Sequence, residues 1–305
     1  MKNILKKIFF REENNSLISK SFSKLKNYPG VIKIFQAFEN FDKDIEIRFV
    51  GGCVRKILNK DDFDDIDLAV NIEPIKVKSI LIQNKINYYE SGIEHGTITA
   101  IINKKKFEIT SLRKDVSTDG RHAVVEFSND WEQDAYRRDF TINSIYSDID
   151  GNLFDPFDGK KDLSSGLLKF IGSAEKRIQE DYLRILRYLR FFLIYSKVNH
   201  TVKIKTAILK NIVGIKKVSK ERLLDELKKI FLNCNLEKLS NDKFCSEVML
   251  LIFPEFKNLH IFKSLNDEAL EIIKKKDFTF ILSLLIIDET DNADYFLFKY
   301  NLPKQ

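Results

Sequence analysis

Asp65-Ile66-Asp67-Leu68-Ala69-Val70 decides how the first half of this chain is read. The run is apolar after its two acids, and a strand's period of two puts both carboxylates on one face while Ile66 faces the other way. Two anions held as neighbours repel unless something cationic lies between them. Hard oxygen donors at this spacing suit Mg²⁺, which keeps waters and shares phosphate oxygens with a substrate. The plain alternative is that Asp61, Asp62, Asp64 and Asp65 form a solvated acidic loop. A third acid weighs against it: Glu108 stands between Phe107 and Ile109, so it alternates away from the apolar face as the aspartates do. Three carboxylates on adjacent strands suit metal ions that activate a hydroxyl and neutralise a phosphorus centre with its leaving group.

Working outward, Ile45 to Val50 alternates as a strand, Gly51 and Gly52 turn the chain, and Val54 to Leu58 starts a helix. A glycine pair after a strand lets the backbone approach a phosphate, with N–H groups and the helix N-terminus as donors. By itself such a pair is more often a plain tight turn, and without GxGxxG a dinucleotide fold lacks its fingerprint. Upstream, Val31, Ile32, Ile34, Phe35 and Phe38 recur at helical spacing. Downstream, Thr97 to Ile102 and Phe107 to Leu112 flank Asn103-Lys104-Lys105-Lys106, a polar turn that predicts an antiparallel hairpin. Gly151, Asp155-Pro156-Phe157 and Gly159 punctuate the middle, and beyond about Ala174 the pattern is helical. The fold class expected is α+β, a head with a mixed or antiparallel sheet followed by an all-α region.

Composition narrows the field further. The 305 residues, 44% hydrophobic and 31% charged, are enough for two or three packed units and exclude a disordered or collagenous chain. The longest apolar run, Phe278 to Ile287, is too short and too interrupted to span a bilayer, and no signal peptide is recognisable, so a cytoplasmic protein with no membrane association is expected. Cys53, Cys234 and Cys245 are odd in number and lack metal-ligand spacing, which argues against disulfides and zinc. The +6 surplus, 51 basic against 45 acidic residues, permits an acidic partner without requiring one.

Taken together, several strings resemble a known family. Phe49-Val-Gly-Gly-Cys-Val-Arg55, Asp65-Ile-Asp67, Glu94-His-Gly-Thr97 and Phe107-Glu-Ile-Thr-Ser-Leu-Arg113 resemble the head of class II tRNA nucleotidyltransferases, the CCA-adding enzymes of the DNA polymerase β nucleotidyltransferase superfamily. Arg137-Arg-Asp-Phe-Thr-Ile-Asn143 resembles that family's ribose-binding motif, Asp155-Pro-Phe157 to Leu163 its head-to-neck junction, and Glu180-Asp-Tyr-Leu-Arg184 its nucleotide-selecting motif. Lys220-Glu-Arg-Leu-Leu-Asp-Glu226 resembles the helix that stiffens the neck.

The resemblance implies roles. Asp65 and Asp67 are the expected metal ligands for Mg²⁺, with Glu108 as the third catalytic carboxylate. Gly51, Gly52 and Arg55 are expected at the triphosphate, and Arg137, Arg138, Asp139 and Asn143 at the incoming nucleotide, Asp139 accepting from a ribose hydroxyl. An ordinary ion pair at a helix start is the alternative for Arg137 to Asp139. Asp181, Arg184 and Arg187 are expected to read the base. At i and i+3 of a helix, Asp181 and Arg184 are expected on one face, an acceptor beside donors that fits cytosine and adenine and opposes uracil and guanine; an i,i+3 salt bridge is the alternative. Asp119-Gly120-Arg121-His122 falls in the stretch the family uses as a flexible loop for switching from C to A. His95 and His122 lack a neighbouring nucleophile pattern and are not expected to do acid/base chemistry.

Two departures stand out. Lys56 occupies the place where the family usually has Asp, and the chain stops at Gln305, before a tail that grips tRNA. RNA contacts would then fall on Lys203, Lys205, Lys210, Lys216, Lys217, Lys228 and Lys229. The expected division is a polar extension 1–27, a head 28–170, a neck 171–235 and a body 236–305 truncated before the tail. The expected function is template-independent addition of CCA to the tRNA 3′ end from CTP and ATP, with pyrophosphate released and no protein partner implied. The alternatives are a bacterial poly(A) polymerase on the same scaffold and an impaired RNA-binding relative. Asp44-Ile-Glu-Ile-Arg-Phe49, in place of a basic Gly-Arg-Arg-Phe type string, favours the tRNA enzyme.

Overall fold

The computed structural model describes residues 22–63, 65–118 and 123–303. Asp64, the Asp119-Gly120-Arg121-His122 segment and most of the polar N-terminal extension lie outside these residues. The chain divides into two compact units that meet in sequence at Ile171 and Gly172.

The first unit is built on a seven-stranded sheet. Its strands are β1 (Ile47–Val50), β2 (Ile66–Val70), β3 (Asn87–Gly92), β4 (Thr97–Ile102), β5 (Lys105–Ser111), β8 (Tyr146–Ser147) and β9 (Leu153–Phe154), in the order β3-β4-β5-β2-β1-β8-β9. β6 (Arg113–Thr118) and β7 (Ala123–Phe127) form a separate antiparallel ribbon. Within the large sheet β2 and β5 run parallel, and the other neighbours run antiparallel, so the sheet is mixed. The β4–β5 hairpin forms as expected but turns more tightly. Ile102 pairs with Lys105, and Asn103 and Lys104 turn the chain at φ 51° and 64°, so Lys105 and Lys106 belong to the strand.

Alternation sorts the sheet's faces. Ile66, Leu68, Phe107 and Ile109 pack with Val31, Ile34, Phe35 and Phe38 of α1 (Val31–Glu39), with Val54 and Ile57 of α2 (Gly52–Asn59), and with Val77 and Ile80 of α3 (Pro74–Gln83). The opposite face carries a smaller core of Val50, Ala69, Leu112, Ala135 and Tyr146, with Trp131 against it. Ala135 and Trp131 come from α4 (Trp131–Tyr136), whose N-cap Asp130 accepts from the N–H groups of Glu132 and Gln133. The first unit ends after α5 (Gly159–Ser165).

The second unit is helical: α6 (Ala174–Glu180), α7 (Arg184–Tyr195), α8 (Val202–Asn211), α9 (Lys220–Asn233), α10 (Leu236–Asn241), α11 (Lys243–Ile252), α12 (Asp267–Lys274), α13 (Phe278–Ile286) and α14 (Asn292–Lys299). Aromatic contacts run through it, including Phe253 stacked on Phe256 at 5.0 Å and Phe296 tilted against Tyr300 at 4.5 Å. Lys238 ends α7 by donating to the carbonyls of Phe192, Leu193 and Ser196 at 3.0–3.2 Å. Among the described residues no helix is long and apolar enough to cross a membrane.

Candidate active site

Parallel pairing of β2 with β5 sets Asp67 directly beside Glu108, on the face away from the main core. Asp65 lies one residue before the strand begins and is exposed, as are Asp61 and Asp62. Asp67 is part-buried. Burial first, then the neighbouring Glu108 and Asp65, push its carboxyl up to about 6, while Arg138 and Arg55 pull the other way. Asp65, Asp67 and Glu108 are therefore electrostatic neighbours, but they do not close into a three-donor cluster within 4.8 Å. Among the described residues the group that does is His200, Asp242 and Cys245 in the helical unit. Its donors are engaged with one another: His200 lies between Tyr188 Oη (2.9 Å) and Asp242 Oδ1 (3.1 Å), and that same Oδ1 caps α11 by accepting from Cys245 N. Phe192 stacks on the imidazole at 3.6 Å. This junction ties the loop after α7 to the start of α11.

The glycine turn lies where the sequence puts it, between β1 and α2. Gly51 has φ 67° and ψ −118°, a conformation open to glycine and closed to most residues with a Cβ. A Cβ built on Gly51 would lie 3.8 Å from Asp67 Oδ2 and 3.6 Å from Arg138 Nη1; one on Gly52 would lie 3.7 Å from the same Asp67 oxygen. Turn, carboxylate and guanidinium thus share one small space. Arg55, one helical turn further on, is buried and donates to Asn143 Oδ1, whose Nδ2 donates to Asp139 Oδ1 at 2.8 Å. The same Asp139 oxygen accepts from Phe140 N. Asn143 therefore bridges Arg55 and Asp139 within the protein.

Arg137 and Arg138 correct the sequence reading in one respect. They stand at the C-terminal end of α4 and not at a helix start, and both pair with Asp134. Asp134 Oδ1 accepts from Arg137 Nε at 2.8 Å, and Oδ2 accepts from Arg138 Nη2 at 3.0 Å and from Tyr146 Oη at 2.6 Å. Burial would raise the Asp134 carboxyl, but Arg137 and Arg138 overcome it and hold the group well below the usual carboxylate range. Asp134 and Tyr146 escaped the sequence reading. The signal for the first was an acid three and four residues before two arginines; Tyr146 had none, since its part depends on strand pairing.

In the helical unit the expected placement of Asp181 and Arg184 on one helix face is corrected: the two do not share a continuous helix. Asp181 is extended at φ −154° and ψ 105°, between α6 and α7, and its carboxylate accepts from Leu183 N at 3.2 Å. Its other oxygen pairs with Arg222 of α9 at 2.7 Å. Arg184 is the first residue of α7 and reaches back to Glu180 at 2.5 Å and to the Arg177 carbonyl at 2.8 Å. The physical reason is local: the Asp181 carboxylate bonds the backbone N–H two residues on, an Asx-type turn that competes with continuing the helix. Burial raises the Glu180 carboxyl, but Arg177 and Arg184 outweigh it and hold the group low. Arg187 lies 5.6 Å over the Phe191 ring, one turn along α7.

A mixed sheet that sets two carboxylates beside a glycine turn and a clamped arginine defines a nucleotidyltransferase-type head domain. Residues 47–169 match the poly A polymerase head domain, and residues 202–259 match the probable RNA and SrmB-binding site of polymerase A. The human mitochondrial CCA tRNA nucleotidyltransferase 1 is 46% identical over 197 residues, 64% of this chain and 45% of that protein. A CCA-adding enzyme of Staphylococcus aureus is 30% identical over 250 residues, 81% of this chain and 59% of that protein. The crystal structure of the Bacillus stearothermophilus CCA-adding enzyme in complex with CTP superposes with a TM-score of 0.65 at 26% identity, covering 88% of this chain and 65% of the other. The chain belongs to the tRNA nucleotidyltransferase and poly(A) polymerase family. It spans about half the length of the curated relatives it matches.

Proposed function

We propose that this chain is a Mg²⁺-dependent transferase that adds C, C and A to tRNA 3′ ends from CTP and ATP without a template. The terminal 3′-hydroxyl attacks the α-phosphorus, a new phosphodiester bond forms, and pyrophosphate leaves. The observation that carries the reading is the Asp67–Glu108 pair set beside the Gly51 turn and Arg138. The relatives that share the head are CCA-adding enzymes, which supports it.

The donor set suits a hard divalent cation: the acids offer oxygen alone, and burial first, then repulsion from Glu108 and Asp65, keeps the Asp67 carboxyl high. Asp65 and Asp67 would hold Mg²⁺, with Glu108 beside them, and the ion when bound would supply charge neutralisation at the phosphates. The chain's own groups do the rest. Gly51 and Gly52 let the backbone approach the triphosphate, Arg55 and Arg138 add positive charge, and Asp139, steadied by Asn143, faces the ribose. Arg137 shares Asp134 with Arg138 and belongs to the same nucleotide-holding group.

For base choice we assign Asp181, Arg184 and Arg187 in a neck of residues 171–235, ahead of a body from 236 to 305. Arg222 and Glu180, which pair with Asp181 and Arg184, fix where the acceptor and the donors stand. The exposed Lys203, Lys210, Lys216, Lys217, Lys228 and Lys229 offer charge for an RNA backbone. Three free cysteines suit a reducing compartment such as the cytoplasm.

Poly(A) synthesis is the second reading, favoured by the description of the matching head domain. Incorporation of labelled CTP and ATP into tRNA lacking its 3′ end separates the two. Both nucleotides in a short product are expected; ATP alone in long tracts would install the second reading, and no incorporation would refute both. Arg184→Ala is expected to blur CTP-over-UTP choice while Asp67→Ala abolishes all transfer. Unchanged discrimination in the arginine variant would remove it from base reading.

A further inference from the structure

Arg138 is held along one edge. Its Nε donates to Tyr146 Oη at 3.0 Å and to Asp134 Oδ2 at 3.3 Å, and its Nη2 donates to the same Oδ2 at 3.0 Å. Tyr146 closes the triangle by donating to that oxygen at 2.6 Å. Both holders are 1% exposed or less. The opposite edge is turned to the site, since Nη1 is the nearest atom to the position a Gly51 Cβ would take.

Two further observations tie this clamp to the glycine turn. Tyr146 pairs across the sheet with Val50, the residue immediately before Gly51, so one strand register sets both the turn and the tyrosine. Its ring is fixed edge-on against Trp131 at 5.4 Å and tilted on Phe154 at 5.9 Å. An arginine on a buried carboxylate could be satisfied in several orientations; a tyrosine hydroxyl bonded to both members leaves one.

We propose that Tyr146 and Asp134 are positioning residues: they touch no substrate, and they aim Arg138 Nη1 at the triphosphate of the incoming nucleotide over the Gly51 turn. This rests on the proposed function, because it takes a nucleoside triphosphate as the ligand.

The test is CTP binding by the full chain, followed by calorimetry in the presence of Ca²⁺, for wild type, Tyr146→Phe, Arg138→Lys and the double variant. Phenylalanine keeps the ring packing, so the thermal midpoint of Tyr146→Phe is expected to stay close to wild type. Its CTP dissociation constant is expected to rise on the order of ten-fold, the scale of one misaligned charge-assisted hydrogen bond, and KM for CTP is expected to rise with it while kcat moves less. Lysine at 138 keeps the charge and loses the fork that Tyr146 grips. Adding Tyr146→Phe to Arg138→Lys is therefore expected to cost nothing more, whereas a merely structural tyrosine would cost the same in either background. Equal CTP affinity in wild type and Tyr146→Phe, or an undiminished penalty in the lysine background, overturns the proposal alone. A wild-type chain that binds no nucleoside triphosphate overturns both it and the proposed function.

Discussion

Replacing Gly51 and Gly52 by alanine, one at a time, separates backbone strain from crowding at the site. Gly51 sits at φ 67° and ψ −118°, where an alanine is strained by about 1–3 kcal/mol whatever the space around it. Space is not the obstacle, because the nearest atoms to its Cβ, Arg138 Nη1 and Asp67 Oδ2, would be 3.6 and 3.8 Å away. Gly52 opens α2 without a positive φ, and its Cβ would lie 3.7 Å from Asp67 Oδ2, an ordinary contact. There alanine restricts the unfolded chain and favours the helix, a gain of up to about 1 kcal/mol. The gap between the two variants is therefore roughly 1–4 kcal/mol, with Gly51→Ala the less stable. Urea unfolding followed by fluorescence reads this directly, since the single tryptophan, Trp131, packs on Tyr146 in the head. Equal losses in the two variants, or a neutral Gly51→Ala, would refute the reasoning from backbone conformation.

Further outcomes follow from individual groups. With its folded carboxyl pushed up to about 6, Asp67 favours the folded state below its ordinary range, and that contribution is lost as pH rises through 6. Asp67→Asn is thus expected to raise stability at pH 8 in chelator by roughly 1–3 kcal/mol and to change it little at pH 4; urea midpoints at the two pH values check this. Asp134→Asn removes the shared carboxylate partner of two part-buried arginines, so a loss of about 1–3 kcal/mol is expected in the same assay. Burial pushes the Cys53 thiol up to about 11, aided by Asp67 nearby, which lowers its thiolate fraction at pH 8 by about a hundred-fold. Mass spectrometry after a brief iodoacetamide pulse should find Cys53 unmodified in the native protein and modified in urea.

Much of the head was legible because its signals are local. The period of two in Asp65 to Val70 and in Phe107 to Leu112 assigned each side chain to a face, and the glycine pair marked the turn before α2. Which strands lie together is another matter. Nothing near Asp67 in sequence says that its partner strand is β5, running parallel, and not β4. The clamp on Arg138 was hidden for the same reason, since Tyr146 meets Asp134 only after β8 has paired with β1. In the helical unit the apolar pattern from Ile178 to Leu193 reads as continuous, yet the chain breaks at Asp181, where a local side-chain turn onto Leu183 N and the long-range pairing with Arg222 outweigh helix propensity.

The parallel pairing of β2 with β5 also bears on how the protein is made. Asp67 leaves the ribosome about forty residues ahead of Glu108, and closing so long a loop comes before any reward from the contacts it creates. α3, β3 and β4 all lie between the two acids. A nascent or half-folded chain holds both acids without holding them together, so competence for chemistry arrives with the docking of one strand and not by degrees.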